Sequence, residues 1–218
     1  MSDFDRHALT QQLRTGVAQQ AVPLASAQIE RLIDYLALLA KWNRTYNLTA
    51  VRDPVQMVTQ HLLDSLAILP AFANAGNVLD VGSGGGLPGM VLAIWAETAN
   101  PAMRISMIDT VNKKTAFLTQ VKGELGLANV TVLTGRVEQL DVQQKFDVIT
   151  SRAFADLADF VNWSQHLLAE GGRFIAMKGV QSDEEEAGLP AGWAITNRMP
   201  LTVPGLEAER HLLVIERR

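Results

Sequence analysis

The sequence is notable first for the residues it lacks. Its 218 residues contain no cysteine, which excludes disulfide bonds and thiolate metal sites. Only four histidines are present, and they are scattered along the chain, so no metal centre is expected. The first residues lack the basic and apolar segments of a signal peptide, and no apolar run reaches the roughly 18 residues of a membrane span. We therefore expect a cytoplasmic, monomeric protein that does not contact a membrane.

The chain is also short of positive charge, with a net charge of −4. A general nucleic-acid binder carries an excess of basic residues, so any contact with nucleic acid must come from a local patch. Segment 41–52 is one candidate, because cations alternate there with aromatic and amide side chains such as Trp42, Tyr46 and Asn47. These residue types stack bases and hold phosphates, but Trp42 and Tyr46 are equally explained as core residues.

Hydrophobic periodicity divides the chain into two parts. Residues 1–72 have apolar side chains at helical spacing and predict a helical region, with helices at 4–20, at 26–42 and from Pro54 onward, and a polar turn at 43–53. Residues 73–218 alternate strand and helix patterns and predict the catalytic or binding domain.

The alternating pattern predicts a mostly parallel sheet with an antiparallel C-terminal edge. The expected parallel strands lie near 77–81, 104–108, 129–134, 146–150 and 172–177. The last two strands, 193–199 and 210–216, have no long helix between them, so they are expected to pair antiparallel. This α/β arrangement is typical of a Rossmann-like class I methyltransferase, here preceded by the helical region.

A glycine-rich stretch at 78–89 is the strongest local signal. A short apolar strand is followed by four glycines in the five positions 82–86. Glycine lets the backbone approach a ligand closely, and the amide groups at the start of the next helix then face that ligand. The spacing fits a dinucleotide through Gly84, Gly86 and Gly89, and it fits S-adenosylmethionine through Asp80 and Gly82 onward.

The charge at the end of the strand favours the second ligand. A carboxylate there repels a pyrophosphate but accepts a hydrogen bond from an ammonium group such as that of S-adenosylmethionine. A glycine turn without any ligand is the third explanation. The residues of this stretch predicted to bind the methyl donor are Asp80, Gly82, Ser83, Gly84, Gly86 and Leu87.

Two further strand ends complete the predicted donor site. Asp109 ends the second strand, twenty residues after Gly89, where a carboxylate can accept from both ribose hydroxyls or can cap the next helix. Val137 and Glu138 follow the third strand, where they are predicted to flank an adenine or simply to begin a helix.

Two cations follow the fourth and fifth strands. Arg152 is predicted to bind the donor or the acceptor, because a guanidinium in a pocket is costly unless it is paired. A structural alternative pairs it with Asp147 or Asp156. Lys178 lies on the same rim and serves either the site or the solvated surface.

A histidine and a carboxylate three residues apart are predicted on one face of the third helix. His61 and Asp64 have this spacing and form either an active-site pair or an ordinary helix contact.

Together these motifs resemble the bacterial 16S rRNA guanine-N7 methyltransferase family, also called methyltransferase G or glucose-inhibited division protein B. The resemblance spans residues 42–211 and departs from the family at Gly85, where many relatives carry proline, and at Thr110, where many carry serine. It rests on Trp42-Asn43-x-x-Tyr46-Asn47-Leu48-Thr49, His61-x-x-Asp64-Ser65, the glycine stretch, Lys113-Lys114, Arg136-Val137-Glu138, Ser151-Arg152-Ala153-Phe154-Ala155, Lys178-Gly179 and Glu209-Arg210-His211.

The resemblance implies a specific reaction. It implies that the chain methylates N7 of the guanine at position 527, in the 530 loop of 16S rRNA, within the small ribosomal subunit or an assembly intermediate, with S-adenosylmethionine as donor. The residues predicted to serve catalysis are Asn47, His61, Asp64, Arg152 and Lys178, with Arg152 also on the donor. A non-catalytic rRNA- or adenosine-binding module and a dinucleotide-dependent oxidoreductase are the alternatives.

Overall fold

The computed structural model describes residues 4–152, 154, 156–179 and 183–218, and within these ranges the chain forms one seven-stranded sheet. The strands are β1 (Asn77–Val81), β2 (Arg104–Asp109), β3 (Val130–Thr134), β4 (Phe146–Ser151), β5 (Leu168–Lys178), β6 (Trp193–Pro200) and β7 (His211–Arg217). Their order is β3-β2-β1-β4-β5-β7-β6, with β1 to β5 parallel and β7 antiparallel to both of its neighbours. The predicted fold class is confirmed.

Helices precede the sheet and connect its strands. The α-helices are α1 (Arg6–Gln19), α2 (Ser26–Tyr46), α3 (Pro54–Met57), α4 (Asp64–Leu66), α5 (Gly89–Ala99), α6 (Asn112–Leu125), α7 (Leu157–Ser164) and α8 (Asp183–Ala187). A π-helical turn, Val58–Leu63, joins α3 to α4. Short 3₁₀ turns lie at Leu69–Phe72, Val137–Gln139 and Gln165–Leu167.

Helix α2 continues beyond its predicted end, into the segment predicted as a polar turn. Asn43 is buried, and its side chain bonds the following loop instead of ending the helix. Its amide donates to the Val51 carbonyl at 2.9 Å, and its oxygen accepts from the Thr49 amide at 2.9 Å. Periodicity alone could not show this, because it treats a buried asparagine as polar.

The helix predicted at 156–169 is shorter than expected. Regular helix ends at Ser164, and β5 begins at Leu168 instead of near residue 172. The early start of β5 follows from its pairing, since Leu168 lies opposite Phe146 before the register shifts. The predicted motif residues Ala153 and Ala155 lie outside the described residues.

Alternation along the strands supplies two hydrophobic cores. On β1, Val78 belongs to the core shared with α1, α2, α5 and α6, whereas Leu79 and Val81 belong to the core under α7. The N-terminal helices therefore pack on the sheet through a common core. The predicted division between residues 1–72 and 73–218 stays a prediction about the chain's organisation.

A buried tyrosine ties the helical region to the glycine turn. The hydroxyl of Tyr35, on α2, donates to the Gly85 carbonyl at 2.6 Å, and its ring lies 6.5 Å from that of Phe117. Gln28 of the same helix donates to carbonyls at positions 94 and 95 of α5 at 3.0 Å. Helix α2 thus supports both the turn and the helix that follows it.

Replacing Tyr35 by phenylalanine tests whether its hydrogen bond to the glycine turn stabilises the protein. Tyr35→Phe leaves the Gly85 carbonyl buried without its donor, which is expected to lower the free energy of unfolding by about 1–3 kcal/mol. The matched control is Tyr46→Phe, an exposed position where the change is expected to stay within about 0.5 kcal/mol. Urea denaturation measures both, and equal stabilities for the two variants would contradict the assignment.

Candidate active site

A side chain at the end of β2 fixes the turn between β1 and α5. Asp109, at the end of β2, accepts from the Gly84 amide at 3.0 Å and from the Val111 amide at 2.9 Å. The ammonium of Lys114 lies 3.5 Å from the same carboxylate. Asp109 therefore joins the glycine turn to the start of α6, and the hydroxyl of Ser83 closes the turn by donating to the Asp80 carbonyl at 2.8 Å.

The glycines of this turn have different roles. Gly82 has a φ of +68°, and a Cβ there would meet nothing within 4 Å. Gly86 has a φ of +91°, but a Cβ there would lie 2.6 Å from Met90 Cγ. A Cβ on Gly89 would come within 2.8 Å of the Asp80 carboxylate. Gly82 thus leaves room for a ligand, whereas Gly86 and Gly89 are needed for packing.

Asp80 lies beneath the turn and is completely buried. Its Oδ2 accepts from the Gly89 amide at 3.0 Å, while its Oδ1 has no partner among the described residues. Burial raises the pKa of Asp80 to about 7, although the Gly89 amide and the Arg152 guanidinium oppose the rise. Its predicted contact with an ammonium group stays a prediction.

A cavity of about 260 Å³ opens at the carboxyl ends of β1, β2 and β3, and we call it the donor cavity. Its lining includes four residues predicted to bind the donor, namely Gly82, Asp109, Val137 and Glu138. Val137 and Glu138 also begin a 3₁₀ turn, as the structural interpretation expected, and their contact with an adenine stays a prediction. Of the other predicted donor residues, Ser83, Gly84, Gly86 and Leu87 form the adjoining turn, and Arg152 does not line this cavity.

Two aromatic side chains of this cavity were not predicted from the sequence. Phe154 and Trp163 line it with their ring centroids 5.6 Å apart, and Trp163 is 41% exposed despite its size. Phe154 lies in a recognised motif, but no role was predicted for it. Nothing in the sequence marked Trp163 as a site residue, because its only feature was its position in a predicted helix. Aromatic faces beside the carboxylates of Asp109 and Glu138 suit a nucleoside, so the lining fits the adenosine of S-adenosylmethionine.

A second cavity, of about 320 Å³, lies at the carboxyl ends of β4 and β5, and we call it the acceptor cavity. It brings together four of the predicted catalytic residues, His61, Asp64, Arg152 and Lys178. Its remaining lining consists of Gln60, Met177, Gly179 and Arg210. Asn47 does not line this cavity, and its oxygen accepts from Arg52 at 2.8 Å.

One buried carboxylate holds two arginines in the acceptor cavity. Asp64 Oδ2 lies 3.4 Å from Arg152 Nη1, and its Oδ1 accepts from Arg210 Nε at 3.1 Å. Arg152 also donates to the Gln60 carbonyl at 3.0 Å. Burial raises the pKa of Asp64, and the two guanidiniums oppose that rise. Arg210 was part of a recognised motif, but no role for it was predicted.

The two partners that the structural alternative predicted for Arg152 are wrong. Asp147 accepts from the backbone amides of Gly76 and Asn77 at 2.6 and 2.7 Å, at the opposite end of β4. Asp156 caps α7 by accepting from the Ala158 amide at 2.6 Å. Both carboxylates serve the backbone, so the partner of Arg152 comes from the N-terminal helices, which sequence spacing could not reveal.

His61 is buried on the π-helical turn beside this pair. Its Nε2 lies 2.9 Å from the hydroxyl of Thr49. Burial lowers the pKa of His61 to about 4, and the charge of Arg152 adds to the effect. The imidazole is therefore neutral near pH 7. Lys178, at the end of β5, donates to Glu185 at 2.6 Å and to the Phe154 carbonyl at 3.4 Å, so it spans the wall between the two cavities.

Among the described residues, no three histidine, aspartate or glutamate side chains are grouped as metal ligands. No helix in the described part of the chain is both long enough and apolar enough to cross a membrane.

The sheet order reverses between β1 and β4, and both cavities open at this point, which is where open α/β sheets bind nucleotides. With its antiparallel C-terminal edge, this is the arrangement of the Rossmann-like methyltransferase fold. The O-methyltransferase of Bacillus cereus in complex with SAH has the same fold, with a TM-score of 0.59 and 17% identity over 94% of this chain and all of that chain. TrmN from Thermus thermophilus has a TM-score of 0.56 and 20% identity, over 81% of this chain and 53% of that chain.

The chain belongs to the rRNA small subunit methyltransferase G family, whose model matches residues 28–213. A ribosomal RNA small subunit methyltransferase G from Janthinobacterium sp. (strain Marseille) is 70% identical, over all of this chain and 99% of the relative. The protein of the same name from Herminiimonas arsenicoxydans is 69% identical over the full length of both. The protein is therefore an S-adenosylmethionine-dependent methyltransferase, and neither the oxidoreductase nor the non-catalytic module is favoured.

A glycine substitution with a matched control tests the donor cavity. Gly82→Ala places a methyl group toward the cavity in a left-handed conformation, so we expect a loss of about 1 kcal/mol in stability and a ten-fold loss in affinity for S-adenosylmethionine. Gly126, after α6, has a φ of +62° and equally open surroundings. Gly126→Ala should lose the same stability and keep its donor affinity by calorimetry. Equal affinities would exclude Gly82 from the donor site.

The raised pKa of Asp80 predicts a pH dependence. In the folded protein this acid keeps its proton up to about pH 7, against an ordinary pKa of 3.8. Deprotonation therefore raises the free energy of the folded state. The free energy of unfolding of the wild type is expected to fall as pH rises from about 4 to 7. Asp80→Asn does not titrate, so its stability relative to the wild type should increase over that interval and then level off. Urea denaturation across pH measures this, and parallel curves would contradict it.

Proposed function

We propose that this protein methylates N7 of a guanine in 16S rRNA, at position 527 in the 530 loop. The small ribosomal subunit or an assembly intermediate is the proposed substrate. The names of its relatives support an RNA substrate. The motifs that resemble the guanine-N7 methyltransferase family support guanine as the target base. The observation that carries the proposal is an acceptor cavity lined by cations, one of which, Lys178, bonds the carbonyl of Phe154 in the lining of the donor cavity.

The polarity of the acceptor cavity fits guanine. Guanine presents two acceptors, N7 and O6, on its major-groove edge, whereas adenine presents a donor beside its N7. Arg152, Lys178 and Arg210 can only donate hydrogen bonds. A cation that bonds O6 orients guanine, and the same cation meets an N–H group on adenine.

The reaction needs positioning more than proton transfer. S-adenosylmethionine, when bound, supplies an electrophilic methyl group, and the lone pair of N7 accepts it without prior loss of a proton. The neutral state of His61 and the arginine-bound state of Asp64 suit such a reaction, since neither must act as a base. The residues instead hold the base in line, which reduces the barrier through orientation.

Arg152 is proposed as the central positioning group. Its guanidinium is held by the Gln60 carbonyl and by Asp64, which leaves its other N–H groups for O6 or for the carboxylate of the donor. The product base carries a positive charge, and the Asp64 carboxylate nearby offsets part of it. Asn47 lies outside the cavity, so a role for it stays a prediction.

Methyl transfer to isolated ribosomal particles tests the function. Small subunits that lack the modification should accept a radiolabelled methyl group, and chemical cleavage at N7-methylguanine should map it to position 527. Protein-free rRNA should be a poorer substrate, because a chain of net charge −4 neutralises few phosphates. A label at another base or another atom would contradict the proposal.

Arg152→Lys separates a role in the site from a role in stability. Lysine keeps the charge but lacks the planar fork, so we expect kcat/KM to fall at least ten-fold, or about 1.4 kcal/mol of transition-state stabilisation. The melting temperature should change little. The control is Arg173→Lys, another half-buried arginine on a backbone carbonyl, that of Ala71. Normal turnover per folded Arg152→Lys molecule would remove Arg152 from the site.

A further inference from the structure

Helices α2 and α6 bring together two basic segments of the chain, residues 41–53 and 110–114. Arg31, near the start of α2, donates to the Leu125 carbonyl at the end of α6. Further along α2, the ring of Trp42 lies 5.5 Å from that of Phe117 on α6. The two helices therefore run antiparallel, and the carboxyl end of α2, at Tyr46, lies at the same end as Lys113.

The charge of this region is opposite to that of the chain. Residues 41–53 and 110–114 contain five cations and one acid, a net charge of +4, in a chain of net charge −4. Four of the cations are exposed, and within the described ranges none of them forms an ion pair with a carboxylate: Lys41, Arg44, Arg52 and Lys113. By contrast, Arg6, Arg31 and Arg198 each pair with a glutamate.

An exposed aromatic ring lies between these cations. Tyr46 is 41% exposed, and its ring centroid is 4.9 Å from that of Trp42, which in turn rests on Phe117. The packing beneath fixes the tyrosine ring while its outer face stays open to solvent. A fixed ring flanked by cations is a platform on which a base can stack.

The region also adjoins both cavities. Lys114, next to Lys113, lines the donor cavity and pairs with Asp109 at 3.5 Å. The loop after α2 is tied to the acceptor cavity, because the hydroxyl of Thr49 lies 2.9 Å from His61 Nε2. The end of α2 and the start of α6 are therefore linked to the linings of both cavities.

We propose that Lys41, Arg44, Tyr46, Arg52 and Lys113 form an RNA-docking surface, named here the α2–α6 surface, for single-stranded RNA that flanks the target guanine. Its cations hold phosphates, and Tyr46 stacks an unpaired base. The inference rests on the proposed function, since it takes rRNA as the substrate. It explains how an acidic protein obtains a local affinity for RNA.

Kinetics with small subunits that lack the modification test the surface. Lys41→Ala combined with Lys113→Ala should raise KM for the subunit about ten-fold and reduce the slope of log KM against log salt by about 1.4, or about 0.7 for each lost phosphate contact. Tyr46→Ala should raise KM about ten-fold, whereas Tyr46→Phe should stay near the wild type because it keeps the ring. The turnover at saturating subunit and the affinity for S-adenosylmethionine should be unchanged.

A charge-matched double variant is the control. Arg104 and Lys145 are exposed cations at the amino ends of β2 and β4, on the opposite edge of the sheet from the cavities. Arg104→Ala combined with Lys145→Ala removes the same charge and should leave KM unchanged. If both double variants raise KM equally, or neither does, the α2–α6 surface is not a docking site. If the wild type methylates no rRNA, the proposed function itself fails.

Discussion

The structure depends on the conformation of one glycine turn, which hydrogen bonds to three side chains hold in place. Tyr35 bonds the Gly85 carbonyl from the helical region, Asp109 bonds the Gly84 amide from the second strand, and Asp80 bonds the Gly89 amide from below. The first two of these bonds join residues that are 50 and 25 positions apart, whereas the third lies within the local strand–turn–helix stretch. The turn is thus positioned before a ligand arrives, so little ordering entropy remains to be lost on binding.

Burial of ionisable groups sets the chemistry at the carboxyl edge of the sheet. Desolvation raises the pKa values of Asp64 and Asp80 and lowers that of His61, and the guanidinium of Arg152 opposes the first two shifts and adds to the third. One arginine therefore influences the charge state of three groups. A neutral histidine and a carboxylate held by two arginines suit methyl transfer to a nitrogen that has no proton to lose.

The sequence pointed to several residues that line the donor cavity, but it did not reveal which side chains form ion pairs in the acceptor cavity. Gly82, Asp109, Val137 and Glu138 lie at or just after the ends of successive parallel strands, and these ends meet at one edge of the sheet by topology alone. In the acceptor cavity, the π-helical turn places Asp64 next to Arg152. The chain just before β7 places Arg210 on the same carboxylate. No local pattern encodes a contact between residues that lie 88 or 146 positions apart.

The sequence by itself determined the α/β class, the antiparallel end of the sheet, the glycine turn and the family, because periodicity and short motifs are local properties of the chain. Only the tertiary structure decided that Asp147 and Asp156 serve the backbone while Asp64 holds Arg152. It alone also placed the end of α2 beside the start of α6, with Tyr46 exposed. The physical reason is that the partner of a buried charge is chosen by packing and desolvation, which act across the whole fold.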